Sequence, residues 1–262
     1  MDNVVLKSAE ELALMREAGR LLAMVFSYLD KQIGPGVSTM DINNWVERYI
    51  VDDLQARPAS KGQYGYQYVL NASVNHVVCH GMPSEQQTLK SGDIVNVDIT
   101  LEKNGFIADS SKMYLIGEVK PYAKRLVDKT YEALWQGIQA VKPGATLGDV
   151  GYVIQQYAEK HGYSVVREYC GHGIGREMHE EPEVLHYGKP GKGLVLKEGM
   201  VFTIEPMVNQ GKAKIKTKKD GWTVVTSDKK LSAQWEHTVA VTASGVEVLT
   251  LRDDERMQPE FN

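Results

Sequence analysis

Leu89-Lys90-Ser91-Gly92-Asp93-Ile94-Val95-Asn96-Val97-Asp98 and Leu196-Lys197-Glu198-Gly199-Met200-Val201-Phe202-Thr203-Ile204-Glu205 are two versions of one phrase. Each opens on Leu-Lys, turns at a glycine, continues through an apolar, strand-like run and closes on an acid. A second pair, Pro35-Gly36-Val37-Ser38-Thr39-Met40-Asp41-Ile42 and Pro143-Gly144-Ala145-Thr146-Leu147-Gly148-Asp149-Val150, keeps Pro, Gly and Asp in register at an offset that agrees to within one residue. Two similar halves explain both matches more economically than chance recurrence of a Lys-x-Gly turn.

Outward from these phrases, each half reads helix, helix, strands. Ser8 with Glu11 forms a capping-box pattern, and Leu12, Met15, Gly19, Leu22, Ala23 and Phe26 keep a helical period up to the stop at Gly34-Pro35-Gly36. Thr39 or Asp41 is positioned to cap a second helix through Trp45, Val46, Tyr49 and Ile50. The stretch 59–75, rich in Gly, Tyr, Gln, Ser and Asn, lacks a helical period and reads as strand and loop.

Composition narrows the class. At a prior of ~150 residues per domain, 262 residues make one large domain or two small ones. The 42% hydrophobic and 24% charged fractions are those of a globular chain, which excludes disordered and collagen-like classes. Thirty Lys plus Arg against 34 Asp plus Glu give a net charge of -4, which argues against a dedicated DNA binder. Two cysteines, Cys79 and Cys170, are too few and too far apart for a disulfide framework or a zinc finger. Met1-Asp2-Asn3 lacks the basic start of a secretory leader, and no apolar run approaches the ~20 residues of a membrane span. The expectation is a soluble, cytoplasmic protein with no membrane contact.

The two closing acids carry the chemical clue. A carboxylate at the end of an apolar strand is expensive unless it is paired or bound to metal. Asp109 follows Asp98 across an expected hairpin turn at Lys103-Asn104-Gly105, which brings the two side by side if they share a face. Glu236 interrupts the run from Trp235 to Val241 in the same way in the second half. His172 is bracketed by glycines in Tyr169-Cys170-Gly171-His172-Gly173-Ile174-Gly175, His179 follows it, and His80 stands before Gly81-Met82-Pro83 at a strand end. Asp98, Asp109, Glu205 and Glu236 in one cavity would need cations, and two dications balance four negative charges. An oxygen-rich set with one imidazole favours Mn, Fe, Co or Zn without choosing among them.

These motifs, together with Asn75-His76-Val77-Val78-Cys79-His80, Asp109-Ser110-Ser111-Lys112-Met113 and Ser232-Ala233-Gln234-Trp235-Glu236-His237-Thr238, resemble the bacterial-type type I methionine aminopeptidases from the first helix to about Arg252. The resemblance implies an α/β (α+β) pita-bread fold: a pseudo-twofold repeat around a curved antiparallel sheet with helices outside. It implies a single catalytic domain over 1–262, with halves of about 1–118 and 119–252. It implies Asp98, Asp109, His172, Glu205 and Glu236 as ligands of two divalent ions, Asp109 and Glu236 bridging. Removal of N-terminal methionine from nascent chains would follow from attack of a dimetal-bridging hydroxide on the first peptide bond. In that scheme His179 bonds the carbonyl oxygen, His80 holds the next nitrogen and Glu205 shuttles the proton.

The sequence departs from the family where the substrate side chain should sit. Positions commonly Cys, Tyr, Cys and Phe are here Ser60, Gln63, Asn71 and Met178, whereas Tyr66, His80 and Trp222 match; Ala108 replaces a Gly beside Asp109. Methionine remains the expected first residue, with a shifted preference or weaker catalysis, since Met178 supplies an adaptable thioether. Rival readings are a prolidase or aminopeptidase P relative and a metal-free docking protein. The expected partners are nascent polypeptide N-termini, met by a monomer. Lys212, Lys214, Lys216, Lys218 and Lys219 form a basic run that reads as a solvated hairpin before it reads as a site of transient ribosome contact.

Overall fold

Reciprocal caps set three of the four described α-helices. In the computed structural model, which describes residues 3–257, 259 and 261, Ser8 and Glu11 cap each other's amides at the start of α1 (Ala9–Leu29). Met1 and Asp2, with which the leader reading begins, lie outside the described residues. The helix ends at Leu29, before the expected Gly-Pro-Gly stop, where the Asp30 amide closes onto the Phe26 carbonyl. The cap of α2 (Thr39–Arg48) is Ser38, not Thr39 or Asp41; Asp41 is its reciprocal partner three residues in. A π-turn at Tyr49–Asp53 continues this helix.

The strands of the first half are β1 (Arg57–Pro58), β2 (Leu70–Val74), β3 (Val77–Cys79), β4 (Ile94–Lys103) and β5 (Phe106–Leu115). The second half opens with α3 (Pro121–Ala140) and α4 (Leu147–Lys160), then β6 (Ser164–Val165), β7 (Gly171–Gly173), β8 (Glu180–Val184), β9 (Val201–Ile204) and β10 (Met207–Asn209). It closes with β11 (Ile215–Thr217), β12 (Val224–Thr226), β13 (Ser232–Gln234), β14 (His237–Val241) and β15 (Val246–Val248).

The repeat recurs as backbone geometry. Thr146 and Asp149 cap α4 as Ser38 and Asp41 cap α2. Gly36 and Gly144 both take positive φ (90° and 86°), and their amides donate to the carbonyls of Leu89 (2.8 Å) and Leu196 (3.0 Å). An isolated bridge joins Ser38 to Thr88 in one half and Thr146 to Val195 in the other.

Alternation along the strands sorts helix side from inner side. In β4, Val95, Val97, Ile99 and Leu101 are fully buried against a core shared with Leu22, Phe26, Ile42 and Val46, which leaves Asn96, Asp98 and Thr100 on the opposite face. In the second half Phe202, Ile204, Val239 and Val241 share a core with Leu134, Ile138 and Ile154 of α3 and α4. Strand β4 pairs with β5 along one edge and with β1 and β2 along the other, and β15-β14-β9-β7-β8 forms a second antiparallel sheet. The halves meet where Ser111 of β5 and Glu236 exchange backbone hydrogen bonds of 3.2 and 3.3 Å. Among the described residues no helix is long and apolar enough to cross a membrane.

Candidate metal centre and substrate pocket

The hairpin turns at Asn104 and Gly105, both at positive φ, as the Asn-Gly pair demands. Its register pairs Asp98 with Ser111 and Asp109 with Thr100. The two acids therefore share a face but stand diagonally, not directly opposite as expected. Asp98 also lies in mid-strand, because β4 continues to Lys103. Glu205 follows the last residue of β9, and Glu236 occupies the break between β13 and β14.

His172 is locked in β7 by close approach on both sides. A Cβ on Gly171 would lie 2.3 Å from the Thr203 carbonyl oxygen, and one on Gly173 2.0 Å from that of Glu181, so neither position tolerates a side chain. The His172 Nδ1 donates to the Gly173 carbonyl at 3.0 Å. That leaves the Nε2 lone pair facing Glu205 Oε1 at 3.5 Å and Asp109 Oδ2 at 3.7 Å.

Ligand atoms of Asp109, His172 and Glu236 all lie within 4.8 Å of one another. Glu205 joins them through its contact with His172, and Asp98 through its place on the same face of the β4–β5 hairpin, lining the same cavity. Asp109 Oδ1 and Glu236 Oε1 are buried with no hydrogen-bond partner. Buried carboxylates with orphaned oxygens, clustered with a free imidazole nitrogen, are the donor set that divalent cations satisfy, so the residues fit the group.

The electrostatics agree. Burial, aided by the charges of Asp98 and Glu205, pushes Asp109 well above the usual carboxylate range. Burial does the same to Glu236, with the Asp109 charge adding to it. Asp98 is pushed up to about 6 by burial, against the opposing hydrogen bond from Asn71, its cross-strand neighbour. Glu205 is pushed up to about 8 by burial and then by Asp98. His172 is pushed down to about 4 by burial and then by His179, so it is neutral near pH 7.

All the sequence-predicted site residues line one cavity of about 570 Å³. Ser60, Gln63, Tyr66, Asn71, Met178 and Trp222 surround the carboxylate end with a wall of mixed polarity. Tyr66 packs on Trp222 with ring centroids 4.9 Å apart, and Ser60 hydrogen-bonds Thr100. His80 adopts φ 56°, with its ring edge-on to Tyr169 at 5.3 Å. His179 stands at the solvent-exposed mouth, its ring centroid 4.4 Å from that of His172. Burial lowers the pKa of His80, and partial desolvation at the cavity mouth lowers that of His179.

Several residues that serve this site escape sequence reasoning. Thr203 donates from Oγ1 to Glu205 Oε1 at 2.8 Å and accepts from the His172 amide at 3.0 Å. His186, fully buried, accepts the Glu205 amide proton at Nε2, 3.0 Å away. Gln234 donates to Glu205 Oε2 at 3.3 Å. Alternation points to Thr203 as inward-facing; no local pattern marks His186. The five lysines of the basic run are exposed on and around the β11–β12 hairpin.

Two antiparallel half-molecules closing on a nest of four acids and one imidazole define a metallohydrolase of the pita-bread class. Residues 13–243 match Metallopeptidase family M24, and the chain belongs to that family. It is 50% identical over 252 residues to the methionine aminopeptidase of Escherichia coli (strain K12), over 96% of each chain. The structure of methionine aminopeptidase from Rickettsia prowazekii is similar to it with a TM-score of 0.93 at 47% identity, over 95% of this chain and 100% of that one. Prolidase from Pyrococcus furiosus is alike in fold alone, with a TM-score of 0.75 at 22% identity over 95% of this chain and 66% of that one.

Proposed function

We propose that the protein is a methionine aminopeptidase: a metal-dependent exopeptidase that removes the first methionine from nascent proteins and peptides. The observation that carries the reading is the pair of orphaned oxygens, Asp109 Oδ1 and Glu236 Oε1, on two buried carboxylates that cluster with His172. Asp109 and Glu236 would hold both ions, Asp98 one, and His172 with Glu205 the other. When bound, the ions supply Lewis acidity, which lowers the pKa of a water and polarises the scissile carbonyl.

The chain's own groups do the rest. His179, neutral and at the mouth, donates a hydrogen bond to the carbonyl oxygen as negative charge builds there. His80 holds the nitrogen of the next residue. Glu205 takes the proton released by the attacking water and delivers it to the leaving amine. The methionine side chain packs on Met178, Tyr66 and Trp222, with Ser60, Gln63 and Asn71 making the pocket more polar than its aromatic side alone would be.

Assay of X-Ala-Ser peptides with Co, Mn, Fe or Zn tests this. Free methionine should be released from Met-Ala-Ser with the highest kcat/KM, and chelator should abolish release. Equal rates for all first residues would remove the specificity claim, and no release with any metal would remove the enzyme.

This substrate class puts the protein in the cytoplasm, where we read it as a monomer of one catalytic domain with halves meeting near residue 118. The exposed lysines at 212–219 offer a surface for transient ribosome contact. Salt-sensitive co-sedimentation with ribosomes tests that contact, and its absence at low salt leaves them as solvated charge.

A further inference from the structure

Lys7 lies 172 positions before His179 in the chain, outside every motif, yet its side chain is only 3% exposed. Its amide donates to the Gly199 carbonyl at 2.8 Å, which fixes the N-terminal segment across the second half. Its ammonium donates to Glu180 Oε2 at 2.6 Å, and among the described residues Glu180 is its one ion-pair partner. The other oxygen, Glu180 Oε1, accepts the amides of Arg176 at 3.0 Å and Glu177 at 3.3 Å. One carboxylate thus ties the start of β8 to the middle of the loop that joins β7 to β8. Lys7 neutralises the charge that this tie requires in a desolvated position.

That loop presents the site. It carries Met178, buried in the substrate pocket, and His179, edge-on to His172. The ion pair packs directly on its first turn: a Cβ on Gly175 would lie 2.5 Å from Lys7 Nζ and 2.6 Å from Glu180 Oε1. The Gly175 carbonyl also accepts from Ile107, two residues before Asp109. We propose that Lys7 is a positioning residue: through Glu180 it clamps the 174–179 loop, and so fixes His179 and Met178 toward the substrate. The proposal rests on the aminopeptidase reading for what the loop does, but the clamp itself is measurable without turnover.

The experiment compares the parent protein with Lys7→Met, Glu180→Gln and the double variant Lys7→Met/Glu180→Gln. Amide hydrogen exchange of Arg176 and Glu177 in chelated protein should quicken about ten-fold or more in Lys7→Met, with α3 unchanged. The double variant should recover most of this protection, because a neutral carboxamide still accepts both amides and needs no counter-charge. On Met-Ala-Ser, Lys7→Met should lose roughly ten-fold or more in kcat with metal affinity unchanged, as displacement of a catalytic group predicts. The double variant should regain part of that loss.

Unchanged exchange at Arg176 and Glu177 in Lys7→Met, or a double variant no better than the single one, would overturn the clamp. If Lys7→Met alone fails to fold, the double variant, with no uncompensated charge, must fold and keep its exchange protection; its collapse would also overturn it. A parent protein that releases no methionine would defeat the reading of the site, while exchange alone would still decide the clamp.

Discussion

Glu205 accepts hydrogen bonds from Thr203 and Gln234 and has a pKa of about 8 against 4.5 for an unburied glutamate. Between those values the metal-free folded chain holds a proton that the unfolded chain has lost, so this carboxyl destabilises the fold as pH rises from 4.5 towards 8. The buried histidines act in the opposite sense, so the effect must be read as a difference. In chelator, the stability of the parent relative to Glu205→Gln should fall between pH 5 and pH 8 in denaturant melts; a flat or rising difference would refute the assignment. Asn71 makes a second prediction at this scale. It pairs across the strand with Asp98 and opposes the rise of its pKa, so Asn71→Ala should weaken metal affinity by about 10–100-fold, measured by calorimetric titration. The acids and His172 were legible in the sequence because charge at a strand position is conspicuous. His186 was not, since a lone histidine followed by Tyr187 carries no sign that its Nε2 will accept the Glu205 amide.

At the scale of elements, β7 shows how tightly the centre is framed. Gly173→Ala would force a methyl to within 2.0 Å of the Glu181 carbonyl oxygen, so it should cost at least ~2 kcal/mol in chemical denaturation and displace His172. A variant with parental stability and metal affinity would show that the strand has room. The β5–β14 seam is held from behind by Arg252, buried and donating to Ser110 Oγ, the Ser111 carbonyl and Glu255. Breaking that buried pair with Arg252→Met should cost about 3–5 kcal/mol, read from urea melts, because Glu255 is left without its guanidinium. The Ser8–Glu11 capping box made α1 legible, the repeat made α4 legible and the Asn-Gly turn the β4–β5 hairpin. The diagonal register of Asp98 and Asp109 was not, because placing both acids on one face leaves open which residues stand opposite. The cap of α2 was misassigned by one turn's logic: Ser38 and Asp41 cap each other, and either alone looks sufficient.

At the scale of the whole molecule, the repeat placed the site before any coordinate did, since equivalent acids in related halves converge only at a shared interior. What the repeat could not supply is the set of long-range contacts that surround that interior, such as Lys7 on Glu180 and Arg252 on β5. These join residues far apart in sequence, with no period or spacing to announce them. Removal of metal should stop methionine release while leaving the helices folded, seen as lost turnover with retained far-ultraviolet circular dichroism. Central to the mechanism is that both halves together hold a pair of divalent ions. Anomalous diffraction from crystals grown with manganese tests that claim most directly. Two peaks should appear among Asp98, Asp109, His172, Glu205 and Glu236; no peak there, or metal bound only elsewhere, would contradict it.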